Sequence, residues 1–220
     1  MIAKTIPRKQ SEPTHDAVLF DLLTGLLDSW TLWDAVAGSQ EQGRRWRAAY
    51  LRNTYGTGAY RPYETLVQEA AVEVGLPTAH ALQLAERYGE LRPWPEVGEV
   101  LRVLQARLPL GVVTNCSDAL GAKAVASVGI DFQVVVTAER AGFYKPHPRP
   151  YQMALEKLSI PANRCLFVAG SAFDLFGTGK LGMPTYWHNR IGMPLPVDAP
   201  APAAQHATLH PLIPLLLGAE

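Results

Sequence analysis

Only two of the 220 residues are cysteine, Cys116 and Cys165. That is too few for a disulfide framework, so a reducing, cytoplasmic setting is expected. Neither sign of charge dominates. Lys and Arg number 20, Asp and Glu 20, and the formal net charge is zero. A nucleic-acid binder or an anionic-membrane binder would carry a basic excess, so neither partner is expected. No apolar run approaches the ~20 residues of a membrane-spanning helix. Residues 1–16 carry Lys4, Arg8 and Lys9 with no apolar stretch behind them. They read as a frayed tail rather than a secretory signal. Internal repeats are also missing. What is present is 48% hydrophobic and 18% charged residues, the balance of a globular chain. At this length it can bury one generous domain, or a core with a smaller insertion.

The chain is organised around residues 17–25, Ala-Val-Leu-Phe-Asp-Leu-Leu-Thr-Gly. Four apolar residues run into a single acid, and turn residues follow, which is how a buried parallel strand reads. In open α/β sheets chemistry gathers at the carboxyl ends of the strands. Asp21 stands at that end, where its carboxylate is expected to face a cleft, held by backbone N–H groups of the turn. A strand-ending Asp that merely begins a turn fits the same residues. From Trp30 to Leu91 the spacing turns helical, as in Trp46, Ala49, Tyr50 and Leu66, Ala70, Val74. Pro62 and Pro77 stand near helix starts, and about four helices are expected there.

Beyond Pro93 strands and helices alternate. Strands are expected at 110–114, 132–136, 165–168 and 185–187, and helices at 97–108, 119–128, 150–158 and 174–181. A loop rich in Pro and Ala is expected at 194–204 and a closing helix at 209–217. Such alternation means right-handed crossovers and a parallel sheet. The fold class is therefore α/β: a three-layer, Rossmann-like core of residues 1–29 and 93–220. A helical cap domain, residues 30–92, is inserted after the first strand.

Each later strand ends in polar residues. Thr114 and Asn115 can both donate to an anion or a carboxylate oxygen, or simply start the next helix as a turn. Lys145 lies in a loop stiffened by Pro146, Pro148 and Pro150. Held in place beside Asp21, its ammonium would keep that carboxylate ionised. Asp174 opens a helix whose dipole favours an acid, with Ser171 just before it. A helix cap explains either residue on its own.

The succession of acid, Thr-Asn, Lys-Pro and acid, each ending a successive strand, resembles the haloacid dehalogenase superfamily from Asp16 to Leu217. Most of its members are magnesium-dependent phosphatases or phosphotransferases, with a general-acid Asp two residues after the nucleophile. That position is Leu23 here, which transfers no proton. Gly170 stands where the metal-binding acid of the last motif belongs, and magnesium needs oxygen ligands. The closer resemblance is to the L-2-haloacid dehalogenases, which work without metal. It implies Asp21 as nucleophile, Lys145 as the motif lysine, Tyr151 as the active-site tyrosine and Asp174 as the late aspartate. Trp46-Arg47 is similar to the pair whose arginine receives the departing halide; a solvated arginine is the ordinary alternative. Residues 182–190, Gly-Met-Pro-Thr-Tyr-Trp-His-Asn-Arg, are similar to a further family segment.

Four departures from that pattern stand out. Leu23 replaces an aromatic, usually Tyr. Thr24-Gly25 inverts the family's Gly-Thr, so the threonine's support of the nucleophile is expected to shift. Ala169-Gly170-Ser171 replaces Ser-Ser-Asn, whose asparagine positions the hydrolytic water. Thr114 replaces Ser and keeps the hydroxyl. The resemblance implies a hydrolase that forms an ester between Asp21 and a short 2-haloalkanoic acid. Thr114, Asn115, Tyr151 and Ser171 would serve binding and positioning, with no metal or cofactor, and a homodimer is expected. A magnesium-dependent phosphatase and a non-catalytic relic of the fold remain as alternatives.

Overall fold

The computed structural model describes residues 13–218. Residues 1–12, most of the expected tail, lie outside it, but Thr14 and Asp16 are not frayed. Thr14 N donates to Leu216 O (3.1 Å) and Asp16 N to Arg164 O (2.7 Å), and the Asp16 carboxylate pairs with the Arg164 guanidinium.

Six parallel strands form one sheet in the order β3-β2-β1-β4-β5-β6. They are β1 (Ala17–Phe20), β2 (Leu110–Thr114), β3 (Val134–Thr137), β4 (Cys165–Ala169), β5 (Thr185–His188) and β6 (Ala204–His206). The central strand β1 is fully buried on both faces, which is why it reads as an unbroken apolar run. Val18, Phe20, Val112, Leu166 and Val168 point to one face, and Ala17, Leu19, Val113, Phe167 and Ala169 to the other. Helices cover both faces. On the first lie α5 (Val97–Gln105) and α6 (Asp118–Val128), with α10 (Leu212–Leu217). On the second lie α8 (Pro148–Leu158) and α9 (Asp174–Gly179). The short α7 (Ala138–Ala141) follows β3.

Four helices lie between β1 and α5: α1 (Ser29–Ala37), α2 (Gln40–Gly56), α3 (Tyr63–Glu73) and α4 (Ala79–Glu86), then a 3-10 turn at Arg87–Glu90. Their ends follow local chemistry. Asp28 and Ser39 accept from backbone N–H groups at the starts of α1 and α2, and Gly38, at φ 84°, ends α1 in the left-handed region. An aromatic chain holds the group together. Trp33 packs on Trp46 (4.7 Å between ring centroids) and on Tyr50 (5.4 Å), and Tyr50 meets Tyr63. Tyr50 also donates to Asn115 O at the end of β2 (3.0 Å), tying the helices to the edge of the sheet.

The strand expected at 132–136 runs instead over Val134–Thr137, and α8 begins at Pro148, where His147 caps it. α5, α9 and α10 are shorter than expected. The sixth strand was not expected. Ala204-Gln205-His206 is half-buried to exposed and lacks an apolar run; it is a strand because β5 offers it a free edge. Among the described residues no helix is long and apolar enough to cross a membrane.

Trp33, 1% exposed, is the centre of the aromatic chain. Trp33→Ala should cost about 3–5 kcal/mol, read by urea denaturation. A loss under 1 kcal/mol would remove the chain as the support of these helices.

Candidate active site

The nucleophile candidate is gripped by the turn that follows its own strand. Asp21 Oδ2 accepts from Thr24 N (3.1 Å), Thr24 Oγ1 (2.7 Å) and Gly25 N (3.0 Å). The inverted Thr24-Gly25 order therefore does not displace the threonine; its hydroxyl reaches the carboxylate directly. Asp21 Oδ1 accepts from Lys145 Nζ at 2.8 Å. The same ammonium lies 3.2 Å from Asp174 Oδ1, and Tyr151 donates to that oxygen at 2.6 Å.

Lys145 is only 4% exposed, and Asn115 fixes its backbone. Asn115 Nδ2 donates to Lys145 O (2.9 Å) and Oδ1 accepts from Lys145 N (2.7 Å). Burial alone would push Asp21 up. The charge of Lys145 and the hydrogen bonds from Lys145 and Thr24 outweigh it, holding Asp21 below the ordinary carboxylate range. At Asp174 burial wins. Its carboxyl is pushed up to about 6, against the lowering influence of Lys145 and Tyr151 and with the charge of Asp21 adding to the rise. Burial opposes the charge of Lys145, but the two acids raise it above the usual lysine value. Two carboxylates with one ammonium between them thus differ in proton affinity.

They open on a cavity of about 120 Å³, lined by Arg47, Asn115 and Ser171 together with Trp30, Tyr55 and Phe173. Arg47, 5% exposed, lies over the Trp30 ring (4.3 Å to the centroid). Its NH1 donates to Ser29 Oγ (2.8 Å), while its Nε is buried without a partner. No carboxylate pairs with it among the described residues, so its charge is directed at the cavity.

Asp21, Arg47, Asn115, Lys145, Ser171 and Asp174 thus come together as the sequence suggested. Thr114 and Tyr151 do not line the cavity. Thr114 is fully buried with its hydroxyl toward Cys116 Sγ (3.7 Å), because alternation along β2 turns it away. Tyr151 sits beneath Asp174 rather than beside Asp21. One amide hydrogen and one oxygen lone pair of Asn115 are committed to the Lys145 backbone, so its side chain serves first to fix Lys145. Sequence reading missed Tyr50, Leu51 and Tyr55, which share the wall with Arg47. Their spacing from Arg47, three, four and eight residues on, is one face of α2, a signal legible in retrospect.

Magnesium does not fit these residues. Lys145 Nζ stands between the two carboxylates a cation would need, and Gly170 supplies no third. The glycine is required: a Cβ there would collide with the Thr24 hydroxyl and the Thr24–Gly25 peptide. Gly170→Asp should therefore lower Tm and abolish activity with or without magnesium. An unshifted melting temperature with magnesium-dependent phosphate release would contradict this packing.

A family model for haloacid dehalogenase-like hydrolases matches residues 15–177. The chain is 30% identical over 194 residues to the (S)-2-haloacid dehalogenase H-109 of Pseudomonas putida, covering 80% of this chain and 87% of that protein. It is 28% identical over 195 residues to the haloacetate dehalogenase H-2 of Moraxella sp. (strain B), covering 80% of this chain and 87% of that protein. A solved dehalogenase structure, 28% identical, superposes with a TM-score of 0.82 over 93% of this chain and 98% of its own. Strand-end chemistry, sheet order and relatives agree, and the chain belongs to the haloacid dehalogenase-like hydrolases.

Proposed function

We propose that this protein hydrolyses short 2-haloalkanoic acids to 2-hydroxy acids through an ester on Asp21, without a metal. The observation that carries the reading is the Lys145 ammonium between Asp21 and Asp174. It supplies the local positive charge that a cation gives the phosphatases of this superfamily, and it separates the two acids into a nucleophile and a base. Leu23, buried in the cavity wall, cannot protonate a phosphate leaving group. The names of the relatives point the same way.

Asp21 Oδ2 is held by three donors and Oδ1 by Lys145 alone, so Oδ1 is the oxygen free to attack. It displaces halide from C2, forming a C–O bond as the C–X bond breaks. Halide leaves toward Arg47, whose unpaired charge meets the negative charge as it develops. Water then adds to the ester carbonyl of Asp21. Asp174 takes a proton from that water and returns it to the departing alkoxide, so the hydroxy acid leaves with the original C–O bond intact and Asp21 is regenerated. With Thr114 turned away, the hydroxyls of Ser171 and Tyr55 and the second amide hydrogen of Asn115 serve the substrate carboxylate and the water. Tyr151 acts through Asp174. Helices 30–92 serve as a cap domain over the core of residues 1–29 and 93–220. A cytoplasmic homodimer with no cofactor completes the proposal.

The test follows halide and phosphate release in parallel, with and without EDTA, across 2-halo acids and phosphomonoesters. Chelator-insensitive halide release is expected, and magnesium-dependent phosphate release would overturn the reading. The two carboxylates also give a pH signature. At pH 5 Asp21, held low, remains ionised and still attacks, while Asp174, which burial and its neighbours push up to about 6 in the free enzyme, is far more often protonated than at pH 8 and is weakened as a base. The ester on Asp21 should therefore accumulate at pH 5, seen by mass spectrometry of the quenched enzyme, and turn over at pH 8. Equal adduct at both values would remove Asp174 as the base.

A further inference from the structure

The turn that grips Asp21 is itself held from behind. Trp94 Nε1 donates to Thr24 O at 3.1 Å. That carbonyl belongs to the same peptide unit as the Gly25 N–H, which donates to Asp21 Oδ2. His188 Nδ1 lies 2.9 Å from Gly25 O, the carbonyl of the next peptide, whose Leu26 N–H closes the turn onto Leu22 O (3.2 Å). Two successive peptides thus have a donor on the carbonyl side and an acceptor on the N–H side. Hydrogen bonds in series through a peptide polarise one another.

One buried acid, Glu96, stands behind both donors. Glu96 accepts from Arg190 NH1 (2.8 Å) and from Leu209 N (3.3 Å), and the Arg190 guanidinium lies over the Trp94 ring (4.9 Å to the centroid). The Trp94 and His188 rings meet edge to face. Gly25 O can only accept, so the His188 proton sits on Nδ1. Its Nε2, buried without a hydrogen-bond partner, lies 3.8 Å from Glu96 Oε1.

We infer that Trp94 and His188 are positioning residues for the nucleophile. Through the Thr24–Gly25 and Gly25–Leu26 peptides they keep the Gly25 N–H aimed at Asp21 Oδ2 and so leave Oδ1 as the attacking oxygen. Neither side chain is part of the cavity wall; both act through the backbone. The inference rests on the reading of Asp21 as nucleophile.

The test uses Trp94→Phe, which keeps a ring but removes the indole N–H, and the pair His188→Leu and His188→Asn. Asn can present its amide N–H where Nδ1 stood. Two readouts are taken on the full-length protein. The first is the rate of ester formation with 2-chloropropionate by rapid quench, beside KM. The second is the amide proton shift of Gly25 by NMR in the absence of substrate. Trp94→Phe and His188→Leu should slow ester formation about tenfold, the scale of one neutral hydrogen bond. KM should change little, and the Gly25 amide should move upfield. His188→Asn should recover most of the rate and of the shift. An unchanged Gly25 shift in Trp94→Phe, or equal loss in the Asn and Leu variants, would overturn the inference. The amide shift needs no turnover. If the wild-type protein forms no ester, the nucleophile reading fails, while the shift still decides whether Trp94 and His188 set the Gly25 N–H.

Discussion

Burying a lysine is costly unless its charge is matched, and Lys145 is matched twice. One ammonium between Asp21 and Asp174 makes an interior of two carboxylates tolerable. Most of the architecture around it serves that arrangement. Asn115 clamps the Lys145 backbone, Tyr151 saturates an oxygen of Asp174, and the Thr24-Gly25 turn saturates an oxygen of Asp21. These groups come from the ends of β1, β2 and β4, from the loop before α8 and from α8 itself, elements far apart in sequence. The parallel sheet brings their ends to one edge, where the α/β fold places its ligands.

The ammonium also creates the asymmetry that two-step covalent chemistry needs. Asp21 faces Lys145 and three turn donors and stays ionised. Asp174 is buried beside the charge of Asp21 and takes up a proton more readily. The proposed nucleophile and base are thereby distinguished by environment rather than by residue type. Arg47 completes the charge pattern from the helical side. It rests on Trp30 with no carboxylate paired to it among the described residues, so the cavity holds a cation at one wall and the Asp–Lys–Asp row at its floor.

Much of this was legible in the sequence because buried strands and their polar ends leave strong local signatures. The run ending at Phe20, the Lys145-Pro146 loop and the helix-opening Asp174 each mark their own place, and their order gives the sheet. Side-chain direction was harder to read. Thr114 and Asn115 are adjacent, yet the pleat sends one into the core and lets the other reach across to Lys145. Strand β6 has no pattern of its own and exists through its partner. Gly170 looked like a missing ligand; in the fold it is the only residue that lets β4 approach the Thr24-Gly25 turn. The Trp94 and His188 contacts escaped for another reason. Each joins residues 70 or more positions apart, through backbone atoms that carry no residue-specific signal.

The covalent role of Asp21 is the centre of the account, and the fate of oxygen tests it most directly. A single turnover of 2-chloropropionate, with enzyme in excess in water enriched in heavy oxygen, should give a hydroxy acid whose new hydroxyl carries ordinary oxygen. The label should appear in the Asp21 carboxylate. Label in the hydroxyl of the first product, with none in Asp21, would mean that water displaces the halide directly, and would contradict the account.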